Sequence, residues 1–339
     1  MKSPYWFLII LNIFFISFAI SCSIKNENQV VVYTSVDQVF SEPILKRFEK
    51  ETGIKVQAVY DVEASKTTGL FNRLLAEAKH PKCDIFWNSE VVRTIVLKHK
   101  GIIYPYKSPS ARDIPNRFKD PEGYWTGFAT RARILIYNSK LLKGKKKPES
   151  IFELTRPTWR DKVAMAFPLF GTTATHVAAL WSYLGEEKAK QYLISLKKNG
   201  ILIVNGNSVA RDLVVKGRVP IAFTDTDDAN SAIQKGKEVG IIFPDQKGMG
   251  TLFIPNTVAM IKGCPHPGEA RKLIDYLLSH EVERNLAFSE SAQIPVRSDV
   301  ERPNNVSSWS SLKAMEVDYE TIAKNMEAAT IFCRELFVR

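Results

Sequence analysis

Short apolar runs alternate with amphipathic stretches from residue 30 onward, and this alternation constrains the fold more than any other feature. VVVYTS (30–35) reads as a buried parallel strand. Segment 41–53 follows as an amphipathic helix, with Phe40, Ile44 and Phe48 on one face and Gly53 at its end. IKVQAVY (54–60) alternates, 67–80 has helical spacing, CDIFW (83–87) is another buried run, and 91–101 closes as a helix on Gly101. Such alternation predicts a largely parallel sheet with helices on both faces.

A second unit repeats the pattern. Strands are predicted at 162–168, 201–204, 219–224 and 239–244, with helices at 172–185, 186–200 and 208–216. Segments 265–283 and 311–336 each read as one helix. Two long β-rich stretches, 126–138 and 251–263, bracket this unit, as expected where a chain leaves one lobe and returns to it. The predicted fold is α/β with two lobes, each a mixed sheet flanked by helices, joined by a hinge of crossing strands. The expected division is 30–127 with 253–305 for lobe 1, and 128–252 with 306–339 for lobe 2.

Ligands of open α/β sheets bind beyond the carboxyl ends of the strands. Those positions carry Ser35 and Asp37; Thr67 and Thr68; Ser89; Gly171, Thr172 and Thr173; and Asn207. Each fits a helix cap, and together they describe a cleft of hydroxyls and N–H groups suited to an oxyanion. Arg131, in TRARILIYN, offers a bidentate cationic partner. Arg133 lies two residues on, on the same strand face, with a surface role for one of the pair equally open.

TDTDDAN (224–230) places Asp225, Asp227 and Asp228 directly after a strand. One of Asp227 and Asp228 is expected to cap the next helix. Three carboxylates exceed that need, so Asp225 and Asp227 are the candidate ligands for a hard cation, an ammonium group or ligand hydroxyls. No GxSxG, Walker A, HExxH or GxGxxG sequence is present. His176 is expected to be a packed helix residue and Cys83 has no evident activating partner. The chain is therefore not expected to be an enzyme, and no catalytic cofactor is called for.

Lys2, the apolar stretch 5–20 and small residues before Cys22 describe a secretory signal peptide over 1–21. Ala19-Ile20-Ser21-Cys22 resembles a bacterial lipobox, which implies lipidation of Cys22, a linker over 22–29 and an extracytoplasmic, membrane-anchored protein. An uncleaved anchor is the other reading. Cys83, Cys264 and Cys333 lack metal-ligand spacing; one disulfide is open to them in an oxidising compartment, with buried free thiols the favoured reading. The net charge of +11 is spread along the chain, with one dense run, KGKKK (143–147), before Pro148. Basic and aromatic residues do not interleave, so nucleic acid is not an expected partner; the protein is expected to be a monomer.

YTSVDQVFSEPILKRFEKETGIKV, RARILIYNSKLL, PTWRDKVAMAFP, CPHPGEARKLIDYLLSHEVE and SAQIPVR, in that order, resemble bacterial extracellular solute-binding proteins of the ferric-iron-binding type. The resemblance implies a periplasmic-binding-protein fold, an ABC permease with its ATPase as partner, and Fe(III) or another hard cation with an anion as cargo. It also implies that Arg131 corresponds to the anion-holding arginine of some members. Ferric-binding members present adjacent tyrosines where this chain has TDTDDAN, and many carry His where it has Val36-Asp37-Gln38. Relatives on the same scaffold take thiamine, phosphonates, sugar phosphates or polyamines, so an organic anion or amine-bearing solute is the alternative cargo. An exported enzyme on this scaffold is the alternative of a different class.

Overall fold

The computed structural model describes residues 28–61 and 67–338. The signal segment, Cys22 and all but the last two residues of the linker lie outside them. β1 (Gln29–Thr34) runs into α1 (Gln38–Thr52), which ends where Gly53 takes a left-handed φ of 71° and its N–H bonds Glu49 O. A side chain there would be strained, so glycine sets the stop. β2 (Lys55–Tyr60), α2 (Thr68–Ala76), β3 (Ile85–Asn88), α3 (Val92–His99) and the short β4 (Ile103–Tyr104) complete the first unit.

β5 (Thr126–Asn138) is the long crossing strand. Beyond it come β6 (Val163–Ala166), α4 (Gly171–Leu184), α5 (Glu186–Lys198), β7 (Leu202–Val204) and α6 (Asn207–Val215). β8 (Ile221–Asp225), α7 (Thr226–Gln234) and β9 (Val239–Ile242) lead to β10 (Phe253–Ile261). The chain closes with α8 (Pro267–Leu277), α9 (His280–Phe288) and α10 (Tyr319–Val338).

The strand order is β2-β1-β3-β10-β5-β8-β6-β7, with β4 on β10 and β9 on β5. β1 pairs in parallel with β2 and β3, and β6 in parallel with β7 and β8. β5 divides its pairing along its length. Residues 126–132 lie antiparallel to β10, whereas Arg133–Tyr137 lie antiparallel to β8. One strand thus belongs to both sheets, which is how the two lobes are joined. The β5–β10 register shifts between Pro255 and Asn256, beside Ala129, whose φ is 46°. That bulge bends β5 before it changes partners.

Three predicted elements differ. The helix expected over 265–283 is two, broken at Leu278, and Ser279 restarts the second by accepting from Val282 N. The C-terminal helix starts at Tyr319 rather than 311, with Asp318 accepting from the N–H groups of Glu320 and Thr321. α2 stops at Ala76, four residues short of the predicted end. In the first two cases local capping chemistry overrides continuous helical spacing.

α10 spans the molecule. Glu320 bonds His99 of α3 at 2.7 Å, while Asn325 bonds Ser182 and Phe332 packs on Trp181 of α4.

Candidate functional site

Arg131 and Arg133 alternate on β5, so both side chains leave the same sheet face. Arg133 sits directly across from Asp225 in the β5–β8 register, and Nη1 donates to Asp225 Oδ1 at 2.6 Å. The same guanidinium donates to Thr172 and Asn207 through Nη1 and to Thr173 through Nη2, and lies 4.5 Å from the centroid of the Phe223 ring. Arg133 is fully buried, which settles the sequence ambiguity: neither arginine is a surface residue. The other oxygen of Asp225 accepts from Thr172 Oγ1 and from Asn207 Nδ2 at 2.9 Å.

Burial alone would raise the Asp225 carboxyl, but Arg133 and Arg131 outweigh it and hold it below the usual carboxylate range. Arg131 donates to Asp227 Oδ2 at 3.0 Å and to the Ser89 carbonyl, linking the acidic loop to the end of β3. Burial would lower its pKa, yet Asp227 and Asp225 raise it further, so it is a permanent cation. Its Nε is buried and has no hydrogen-bond partner among the described residues.

These residues wall a cleft of about 590 Å³ with both lobes on its rim, within the size of small-molecule sites. Asp37, Ser89, Arg131, Gly171, Thr172, Asn207, Asp225 and Asp227, eight of the twelve candidate residues, all line it. Four residue positions do not reach the wall. Ser35 lies beneath it, donating to Asn88 Oδ1 at 2.7 Å and accepting from Ser89 N. Thr173 backs the wall through Arg133 and Asn207. Thr67 and Thr68, at the start of α2, are likewise absent from it among the described residues. Sequence reasoning missed Val39, Phe40, Arg211, Ser231, Lys235, Ser289 and Glu290, which also line the cleft. They lie within helices or a loop, where polarity alone does not separate a wall from a solvated face.

The capping expectation is also corrected. The N-cap positions of α1, α4, α6 and α7 are Asp37, Phe170, Gly206 and Asp225, and none makes a side-chain capping bond. Asp225, placed to cap α7, turns to Arg133 instead because a buried carboxylate gains more from a guanidinium than from one N–H. Four helix starts with their partial positive charge therefore border one cleft. The carboxylates of Asp225, Asp227 and Asp228 lie within 4.8 Å of one another, but Asp225 and Asp227 are held by buried arginines and Arg211 stands 3.5 Å from Asp228. No tyrosine lines the cleft among the described residues.

His176 is buried against Phe223, 4.8 Å between ring centroids, and burial together with Arg133 pushes its pKa well below the ordinary value. It is a packed residue and not a base in the cleft. Cys83 and Cys333 are buried and Cys264 half-buried, and all three thiols are free.

Residues 84–324 match the family model described as bacterial extracellular solute-binding protein, and the chain belongs to that family. It is 26% identical to iron uptake protein A1 of Synechocystis sp. over 91% of this chain and 87% of that protein. Its fold matches iron-bound HitA from Pseudomonas aeruginosa at a TM-score of 0.83 and 22% identity, over 91% of this chain and 99% of that one. It matches AfuA from Actinobacillus pleuropneumoniae, with fructose-6-phosphate bound, at 0.81 and 20%, over 91% and 98%. The protein is a two-lobe solute-binding protein, not an enzyme, working outside the cytoplasm with an ABC permease. No helix among the described residues is long and apolar enough to cross a membrane.

Proposed function

We infer that this chain captures, for its importer, a small solute bearing an oxyanionic group together with hydroxyls or an amine. One observation carries the reading: Arg131, with an unpartnered buried Nε, stands among four helix starts that no side chain caps. Backbone N–H groups and a guanidinium suit phosphate, phosphonate or carboxylate. The acidic loop, balanced by Arg131 and Arg133, then meets the hydroxyl or amine end. The cleft volume fits an organic molecule better than a bare ion.

Ferric iron, or another hard cation entering with an anion, is the second reading. The three clustered carboxylates favour it, as does the iron named for iron uptake protein A1. Asp225 and Asp227 would be the ligands, after release from their arginines, and Arg131 would hold the anion. Release makes this costly, because an unpaired buried guanidinium remains.

Lobe 1 comprises 30–127 and 253–305 in this reading, and lobe 2 comprises 128–252 and 306–339, a division supported by the change of partners along β5. Cys22 carries the lipid after removal of 1–21, and the protein acts as a monomer.

Native mass spectrometry with metal analysis of protein from rich medium tests the cargo. An organic mass without metal is expected. Near-equimolar iron, lost on Asp225→Ala, would replace the first reading by the second. Arg131→Ala removes charge-assisted hydrogen bonds to the anion and is expected to weaken binding about a hundredfold, measured by calorimetry. Unchanged affinity would take Arg131 out of the site.

A further inference from the structure

The first sheet has two ends with different chemistry. Its cleft end is where β1 and β3 finish. At its other end β1, β2 and β3 begin and β10 finishes, and there Ile261 N bonds Asp84 O, Lys262 N bonds Ile102 O, and Lys55 N bonds Asn28 O. Lys79, Lys82, Lys100 and Lys262 surround a pocket of about 430 Å³ at that end. All four are exposed, and none forms an ion pair with a described residue. The one carboxylate on the rim, Glu77, is already held by Arg73 at 2.9 Å and by the Tyr33 hydroxyl. Four like charges gathered without counter-charges repel one another, so the folded chain gains when an anionic surface meets them.

The chain also enters the fold here. Asn28 precedes β1 and bonds Gly53 O across the same end. Five residues separate Cys22 from Asn28, and so short a segment spans at most about 20 Å even when fully extended. A lipid on Cys22 therefore brings this end, and not the cleft end, close to the bilayer, near the reach of surface electrostatics at about 10 Å.

We propose that the lysine-ringed end of the first sheet is a membrane-docking face for anionic phospholipid headgroups, holding the cleft away from the bilayer. The orientation rests on the lipid anchor at Cys22; the charge complementarity does not.

The test uses the full mature chain carrying Cys22→Ser, so that any membrane binding is independent of a lipid. Co-sedimentation with mixed phosphatidylglycerol–phosphatidylcholine vesicles is expected at low salt, with little binding to phosphatidylcholine alone and release at high salt. Lys82→Gln with Lys262→Gln is expected to weaken partitioning about 25-fold, near fivefold for each lysine at an anionic surface. The control is Lys145→Gln with Lys146→Gln in the basic loop after β5, which removes the same charge and is expected to leave partitioning within about twofold. Thermal melting of both variants confirms that they fold.

Equal binding to neutral vesicles, or equal loss in both double variants, would overturn the proposal. So would inorganic phosphate displacing the vesicles through Lys82 at constant ionic strength, which would make the pocket a small-anion site. The mass of wild-type protein extracted from membranes tests the anchor separately. An unlipidated Cys22 would remove the orientation while leaving the headgroup contact measurable.

Discussion

At the scale of single residues, Arg133 organises the cleft wall around Asp225 without itself lining the cleft. It joins Asp225 to Thr172, Thr173 and Asn207 on three different elements. Its replacement leaves a buried carboxylate with only Arg131, 4.0 Å away, as counter-charge. Arg133→Met is expected to cost about 3 kcal/mol, measured by urea unfolding at pH 7. The wild-type Asp225 carboxyl lies below its unfolded value, so its contribution is complete above about pH 4 and is lost as pH falls through the folded pKa. His176 makes the same direction of demand nearer neutrality. Its folded pKa is depressed and the unfolded chain takes up its proton first, so stability falls as pH drops below about 6.5. Neither ring nitrogen has a hydrogen-bond partner among the described residues. His176→Leu is therefore expected to match wild-type stability at pH 7 and to flatten the decline between pH 7 and 5. A stability loss of several kcal/mol at pH 7 would contradict that.

Among the elements, the break between α8 and α9 has a purpose that helical spacing conceals. It brings Glu283 beneath β5, where Oε1 accepts from Ala129 N and Val296 N at 2.9 Å each. Arg297 holds the other oxygen of Glu283 at 2.8 Å and also donates to Leu278 O, the end of α8. Ala129 is the positive-φ residue at the bulge, so the buried ion pair fixes the strand where it changes lobes. Glu283→Ala leaves two N–H groups and a guanidinium unpaired and is expected to cost about 4 kcal/mol. Ser279→Ala, which removes only the cap, is expected to cost about 1 kcal/mol. Equal losses in denaturant titrations would show that the break, and not the pair, holds the hinge.

For the molecule as a whole, two polar contacts cross the cleft floor. Thr175 of α4 donates to Glu90, beyond β3, at 2.9 Å, and Arg131 reaches the Ser89 carbonyl. β5 and β10 form the continuous connection, while α10 contacts α3 through Glu320 and α4 through Asn325 and Phe332. Closure on a solute would tighten this arrangement. Cargo binding is expected to reduce the radius of gyration in small-angle scattering. At a hundredfold excess over Kd it is expected to add about 2.7 kcal/mol of stability, raising Tm by several degrees. An unchanged radius with full occupancy would place the fold in its closed form before binding.

Sequence alone determined the alternating α/β architecture, the strand that bridges the lobes and about half of the cleft wall, because period and strand-end position are local properties of the chain. β5 at 126–138 and the wall residues Ser89, Arg131, Thr172, Asn207 and Asp225 were all legible in this way. Only tertiary structure decided what the charged residues do. Asp225 reads as a cap or a metal ligand until the β5–β8 register sets Arg133 opposite it, 92 residues away in sequence. Thr67 and Thr68 lie at the start of α2, yet that start is not part of the wall among the described residues. Thr175 and Glu90 gave no signal until α4 met the end of β3. The long-range pairing of a buried charge depends on register and burial, which no local pattern encodes. That same pairing moved the acidic loop from an open cation site to one already balanced by arginine.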